Sequence, residues 1–331
     1  MFWASYVLAA LAVVLAWPAP IALSRAAWPA RAPFTAMVLW QSIALAGGLS
    51  MIGALLLWGL EPLGESLTDA VPAFLGVLLR DDSAQELGVV HVFAISAASL
   101  LLAHLLFTLA LTFMRIRRQR NRHRDMLALL GSPATDQPST LVIKHPSPVA
   151  YCLPGGAHSV TVMSDGLMDL LTRAELDAVL RHENAHLHQR HHLLLWAFAA
   201  WRSALPWLPT SRLAQGAVSE LIEMLADDEA LRRVDESTLV RAIAIVGSGA
   251  LPDTSADPLD DADGAGTGGA RVRAGVSGGG PAESGTTTHR LRRLLTPLRP
   301  LNRLQQTAAL SVAGLLVVVP PVLLVAPGLI R

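Results

Sequence analysis

Four stretches of this chain are apolar over the length a helix needs to cross a hydrocarbon core, and no other feature restricts its fold as strongly. A core about 30 Å thick requires roughly 20 helical residues. The stretches run from Phe2 to Leu23, from about Phe34 to Leu60, from about Gly88 to Met114 and from about Ala308 to Ala326. Pro320 and Pro321 interrupt the last, so a kinked or short span is expected there. Charged residues make up 16% of the 331 positions, against roughly a quarter in ordinary soluble domains. A polytopic α-helical membrane protein with about four transmembrane helices follows.

The first stretch has no basic residue ahead of its apolar run, the first being Arg25, so it reads as a retained span and not as a signal peptide. Orientation follows from the arginines in the short flanks. Arg25 and Arg31 place the first loop in the cytoplasm. The connection after the second span carries Glu61, Glu65, Asp69, Asp81, Asp82 and Glu86 against Arg80, and is expected outside. "RIRRQRNRHR" at 115–124 and "RLRRLLTPLRPLNR" at 290–303 are cytoplasmic anchors at the lipid surface. The N-terminus is therefore expected outside and the long segment between the basic runs inside. A net charge of zero gives no global basic field, so no direct nucleic-acid binding is expected.

The chain is read as three transmembrane helices (1–114), a globular cytoplasmic domain (115–250), a disordered linker rich in Gly, Ser and Asp (251–288), and a basic juxtamembrane segment with the fourth span (289–331). Short apolar runs at 140–145, 149–153 and 158–163, parted by Pro and Gly, predict a small sheet. Thr172 and Glu175 form a capping-box pair that starts a helix continuing to about Phe198. Leu176, Val179, Leu180 and Leu187 give it a buried stripe. A second helix is predicted over 214–234, turned back on the first through Pro206 and Pro209.

Within the capped helix stands "HENAH", residues 182–186. Imidazoles four residues apart share a helix face and can bind one ion, while the intervening carboxylate of Glu183 is turned away from the ligand positions but stays near a bound water. Zinc suits such donors, and the single cysteine, Cys152, leaves His and carboxylates to hold it. A third ligand is sought on the second helix. Glu223 and Asp227 are the favoured pair, one for the metal and one to orient a histidine, with Glu220 as rival; Asp228 and Glu229 read as solvent-exposed. His188, His191 and His192 read as helix-end bystanders, and Cys152 as a small buried residue. His91 and His104, at membrane depth, suit packing or interhelical hydrogen bonds. Gly47, Gly48, Ser50 and Gly53 permit close helix contact, within one chain or between copies as a homo-oligomer.

Three spans, a basic stop, "AYCLPG", the segment "VTVMSDGLMDLLTRAELDAVLRHENAHLHQRH", "ELIEMLADDEA" and a last span together resemble the BlaR/MecR-type antirepressor peptidases, membrane zinc metalloproteases of the gluzincin kind. The resemblance implies an inserted cytoplasmic α+β zincin-like metallopeptidase domain. By the match of "EMLAD" at 223–227 it implies one catalytic Zn²⁺ held by His182, His186 and Glu223, with Glu183 as general base and Asp227 supporting a ligand from behind. It also implies a protein substrate, either the chain itself or a DNA-binding repressor. The extracellular penicillin-binding sensor domain of the well-known members has no counterpart here, so direct β-lactam sensing is not expected. Two alternatives stand beside this: a membrane quality-control protease of the HtpX type, and a non-catalytic zinc-containing membrane sensor or scaffold. Glu183 argues against the last, because a purely structural zinc needs no base beside it.

Overall fold

The computed structural model describes residues 1–80, 87–133, 140–153, 159–189, 191–248, 281–296 and 298–326. The chain divides into two compact units, each discontinuous in sequence: Met1–Ile116 with Leu193–Leu221 and Arg299–Arg331, and Arg117–His192 with Ile222–Leu298.

Among the described residues, four helical segments are long and apolar enough to cross a membrane: Phe2–Arg25, Pro33–Leu63, Val89–Leu129 and Arg303–Val325. They suggest a membrane protein. Pro18 divides the first into α1 (Phe2–Ala16) and α2 (Pro18–Arg25). α3 (Pro33–Leu60) is packed on both sides, by α1 and by the last helix. Gly53 permits this: a Cβ there would lie 3.1 Å from Leu8 and 3.2 Å from Leu324. The small residues of the second span thus serve packing inside the chain. At Gly59 a Cβ would meet backbone, 3.0 Å from the carbonyl of His91. Large side chains such as Trp3, Phe93, Leu100, Phe107 and Leu315 remain exposed, as lipid-facing residues would.

One segment departs from the sequence reading. The connection after α3 contains a helix, α4 (Leu67–Arg80), started by Ser66, whose hydroxyl accepts the Asp69 N–H. Its apolar side docks Leu67 and Phe74 beside Leu60 and Ile95. Asp81, Asp82 and Glu86 lie outside the described residues. The last helix continues through Pro320 and Pro321 to Val325, so the prolines do not end the span. His104, on α5 (Val89–Leu130), donates from Nε2 to the carbonyl of Ala204, 3.0 Å away, an interhelical bond of the expected kind. His91 lies against Trp58, with ring centroids 5.9 Å apart and the planes tilted by 52°.

The second unit is built around a sheet ordered β1-β2-β4-β3, from Ser132–Pro133, Thr140–Ile143, Val160–Ser164 and Ala150–Leu153 respectively. β2 and β4 are parallel, and both outer pairs are antiparallel. Two-residue alternation sorts its faces. Tyr151, Leu153 and Val162 join Leu127 of α5, while Ala150 and Met163 join Leu167, Leu171 and Leu180. The latter residues belong to α6 (Asp165–Leu170) and α7 (Arg173–His188) or the link between them. β4 is interior, between β2 and β3, and β3 is the edge next to α7.

α7 stops at His188, and α8 (His191–Ala204) is a new helix, where one continuous helix was expected. Gln189 leaves the helical backbone, its N–H closing on Ala185, in a stretch of bulky polar residues that offers no apolar stripe to extend. α9 (Pro209–Ala230), α10 (Glu236–Ser248) and α11 (Pro281–Leu295) complete the chain before α12 (Arg303–Val325). α11 starts inside the segment read as linker, on a proline suited to the first helical position. It docks Leu294 with Ala178, Ala230 and Leu239. Residues 249–280 of that segment lie outside the described residues.

Candidate metal centre

The capping box sets the site's geometry from a distance. Glu175 accepts the Thr172 N–H at 2.9 Å and the Thr172 hydroxyl at 2.8 Å, and the Thr172 hydroxyl accepts the Glu175 N–H in return. α7 is thereby fixed at its first turn, with Ala178, His182, Glu183 and Ala185 buried along it. His182 and His186 then present Nε2 atoms 3.2 Å apart. Glu223, on α9, puts Oε2 at 3.3 Å from the first and Oε1 at 3.6 Å from the second.

These separations fit a zinc ligand set. Donors about 2.0–2.1 Å from a tetrahedral ion lie roughly 3.3 Å from one another, and the three spacings bracket that value. Among the described residues, His182, His186 and Glu223 form the cluster of donors close enough to share one ion. Glu220, the rival on the same helix, is not part of it.

Asp227, one turn beyond Glu223 and 1% exposed, brings Oδ1 to 2.9 Å from Nδ1 of His182. The approach is close but oblique, so Nδ1 lacks a well-aligned partner in this geometry. Asp227 is itself gripped by Arg290 of α11, whose Nε and NH2 groups donate to its two oxygens at 2.9 and 2.6 Å. NH1 of the same guanidinium lies 3.1 Å from Glu223. Three residues on, Arg293 makes a two-pronged contact with Asp228 at 2.8 and 3.0 Å. Asp228 is therefore paired while its side chain stays 41% exposed, and Glu229 pairs with Arg232 at the surface.

The charges shape one another. For His182, burial opposes protonation, but hydrogen bonds to Asp227 and Glu223 outweigh it and raise the pKa to about 9. His186 is lowered to about 4, chiefly by burial. Glu223 and Asp227 are held below the usual carboxylate range despite burial, by His182 and Arg290. Glu183 is pushed up to about 7, by burial first and then by the charge of Glu223; the Cys152 backbone N–H, donated to its carboxylate, opposes the shift. A carboxylate poised near neutrality beside a metal-ligand cluster is suited to taking and returning a proton.

The remaining histidines separate. His188 bonds back to the carbonyl of Asn184 at 2.9 Å, a local helix-end contact. His191 was read the same way, yet it is buried and its Nδ1 lies 3.1 Å from Nδ1 of His186. The side chain of His192 lies outside what is described. Arg290 and His191 had no spacing signal: one is about a hundred residues from the motif, and the other depends on the break after α7.

Comparisons with the curated proteins and with the solved structures gave no match. The stretch from the start of the third span to just past α9, holding His182, Glu183, His186, Glu223 and Asp227, does have a likeness. Residues 89–234 match the model for Peptidase family M48, whose members are generally zinc-dependent, and this supports a zinc metallopeptidase.

Proposed function

We propose that this chain is an integral-membrane zinc metalloendopeptidase in which His182, His186 and Glu223 hold one Zn²⁺, Glu183 is the general base and Asp227 orients His182. The observation that carries this reading is the set of three donor residues whose ligating atoms lie 3.2–3.6 Å apart, with a buried carboxylate alongside. When bound, zinc would supply a Lewis acid that lowers the pKa of water and polarises a carbonyl. Its positive charge would also draw Glu183 back towards its ionised form, ready to accept a proton. Glu183 would take that proton from the attacking water and deliver it to the leaving amine. Asp227 would hold the ring of His182, and Arg290 would hold Asp227.

The substrate would be an extended peptide. Among the described residues β3 has one strand neighbour, β4, so its other side can accept a strand by backbone pairing. The Cys152 N–H already faces Glu183 there, which would bring an added strand past the base. In this reading the N-terminus lies outside and the peptidase portion faces the cytoplasm at the membrane surface, where the substrate is a membrane-proximal protein. The sequence resemblance points to the chain itself or a repressor. A broad quality-control role is the second reading, favoured by the family match, since HtpX-type proteases lie within M48.

The test compares membranes carrying wild type and Glu183→Gln. The variant is expected to keep its zinc while cleavage fragments disappear from the peptide profile. Identical profiles would sink the protease reading. Loss of one or two fragments marks a dedicated regulator, and loss of many marks quality control.

A further inference from the structure

Both candidate ligand histidines would use Nε2 for the ion, which leaves each Nδ1 to be oriented by something else. For His182 that partner is Asp227. For His186 it is another histidine. Nδ1 of His186 lies 3.1 Å from Nδ1 of His191, and Nε2 of His191 lies 2.8 Å from Oε1 of Gln189. His191 is 2% exposed, so its own ring is shielded from bulk water, while His186 is partly buried and Gln189 is exposed.

We propose that His191 is a positioning residue for His186, fixing the ring orientation and tautomer that point Nε2 at the metal, with Gln189 fixing His191 in turn. This rests on the zinc reading above. The proton arrangement follows by elimination. An imidazole that gives Nε2 to a metal keeps its proton on Nδ1. His186 Nδ1–H must then donate, so Nδ1 of His191 must accept. The proton of neutral His191 therefore sits on Nε2, where it donates to the amide oxygen of Gln189. All three polar contacts are satisfied by this one arrangement, and it needs no charge in a buried place.

The local fold has a reason to be built this way. The break at Gln189 ends α7 and starts α8 at His191, so His191 falls beside the ring of His186 and not a further turn along the same helix. An unbroken helix would carry residue 191 about 140° around the axis from residue 186. The break after the motif thus acts as the support for its second histidine.

The test measures zinc affinity by competition with a chelator, and the d–d spectrum of the Co²⁺-loaded protein, on the full chain in detergent. Three forms are compared: wild type, His191→Asn and His191→Leu. Asn places an acceptor oxygen close to where Nδ1 sits, whereas Leu fills similar space without one. The expected result is zinc affinity about 10–100-fold weaker for His191→Leu, with an altered Co²⁺ spectrum and both largely restored in His191→Asn. Equal affinity in wild type and His191→Leu overturns the proposal, and so does equal weakening in both variants, which would mean packing alone. Should His191→Leu fail to fold, Gln189→Leu serves instead: it frees His191 to take the other tautomer and is expected to weaken zinc binding, and unchanged affinity overturns the proposal. If wild type binds no zinc, the zinc reading itself falls, an outcome distinct from the others.

Discussion

Arg290 is the residue whose role differs most between sequence and structure. As part of "RLRRLL" it reads as one basic residue among several at a membrane surface, but its side chain is 12% exposed and sits between Asp227 and Glu223. Removing one partner of a buried ion pair costs roughly 3–5 kcal/mol, because the other charge stays buried. An exposed pair is worth about 0–1 kcal/mol. Arg290→Gln is therefore expected to lower the melting temperature of the metal-free chain far more than Arg232→Gln, whose pair with Glu229 is at the surface. Zinc should then recover more stability in Arg290→Gln than in wild type, since a dication neutralises the same carboxylates. Thermal melts of both variants with and without zinc check this. Equal zinc-induced shifts would show that the guanidinium and the metal do not act on Glu223 together.

The elements show which parts of the fold a sequence can disclose. β2, β3, β4 and the start of α7 were legible because each depends on nearby residues: apolar runs between turns, and a capping pair three positions apart. The pairing of β4 between β2 and β3 was not, since strand order is settled by contacts far apart in sequence. α4 was hidden by its acidic flanks, although Leu67, Val71, Phe74 and Leu78 recur at helical spacing. α11 was hidden by the composition of the segment before it. The histidine ligands were legible from spacing on α7, and Glu223 from its four-residue pairing with Asp227, with the family pattern assigning it the metal; Arg290 and His191 depend on how separate elements meet. The capping box also makes a prediction at this scale. Thr172→Ala should cost about 1 kcal/mol of stability. Hydrogen bonds from the Thr172 N–H and hydroxyl hold the folded pKa of Glu175 below its ordinary value. A depressed carboxylate stabilises the fold above the ordinary glutamate range, and that contribution is lost as pH falls through the folded value. The acid-side loss of stability should accordingly be shallower in Glu175→Gln than in wild type. Urea titrations between neutral pH and pH 3 measure it, and parallel curves would remove Glu175 from the account.

For the molecule as a whole, the side of the membrane that α7 faces separates the proposed substrates, and the chain's own chemistry provides a clean way to measure it. Cys152 is the single thiol, partly buried on β3, and burial, with the nearby charge of Glu183, pushes its pKa up to about 12. The thiolate is the reactive form, so wild type should be nearly silent to maleimides at pH 7. A cysteine introduced at an exposed site therefore reports without background. On the arginine distribution, Glu65 is expected outside and Glu236, at the start of α10, inside. Glu65→Cys is expected to react with a membrane-impermeant maleimide in intact cells, and Glu236→Cys only after permeabilisation. Labelling of both in intact cells, or the reverse pattern, would put the peptidase portion on the outer side. A cytoplasmic repressor would then be beyond its reach, while quality control of membrane proteins would remain compatible with the same zinc chemistry. Orientation thus discriminates between substrates that the site alone treats alike.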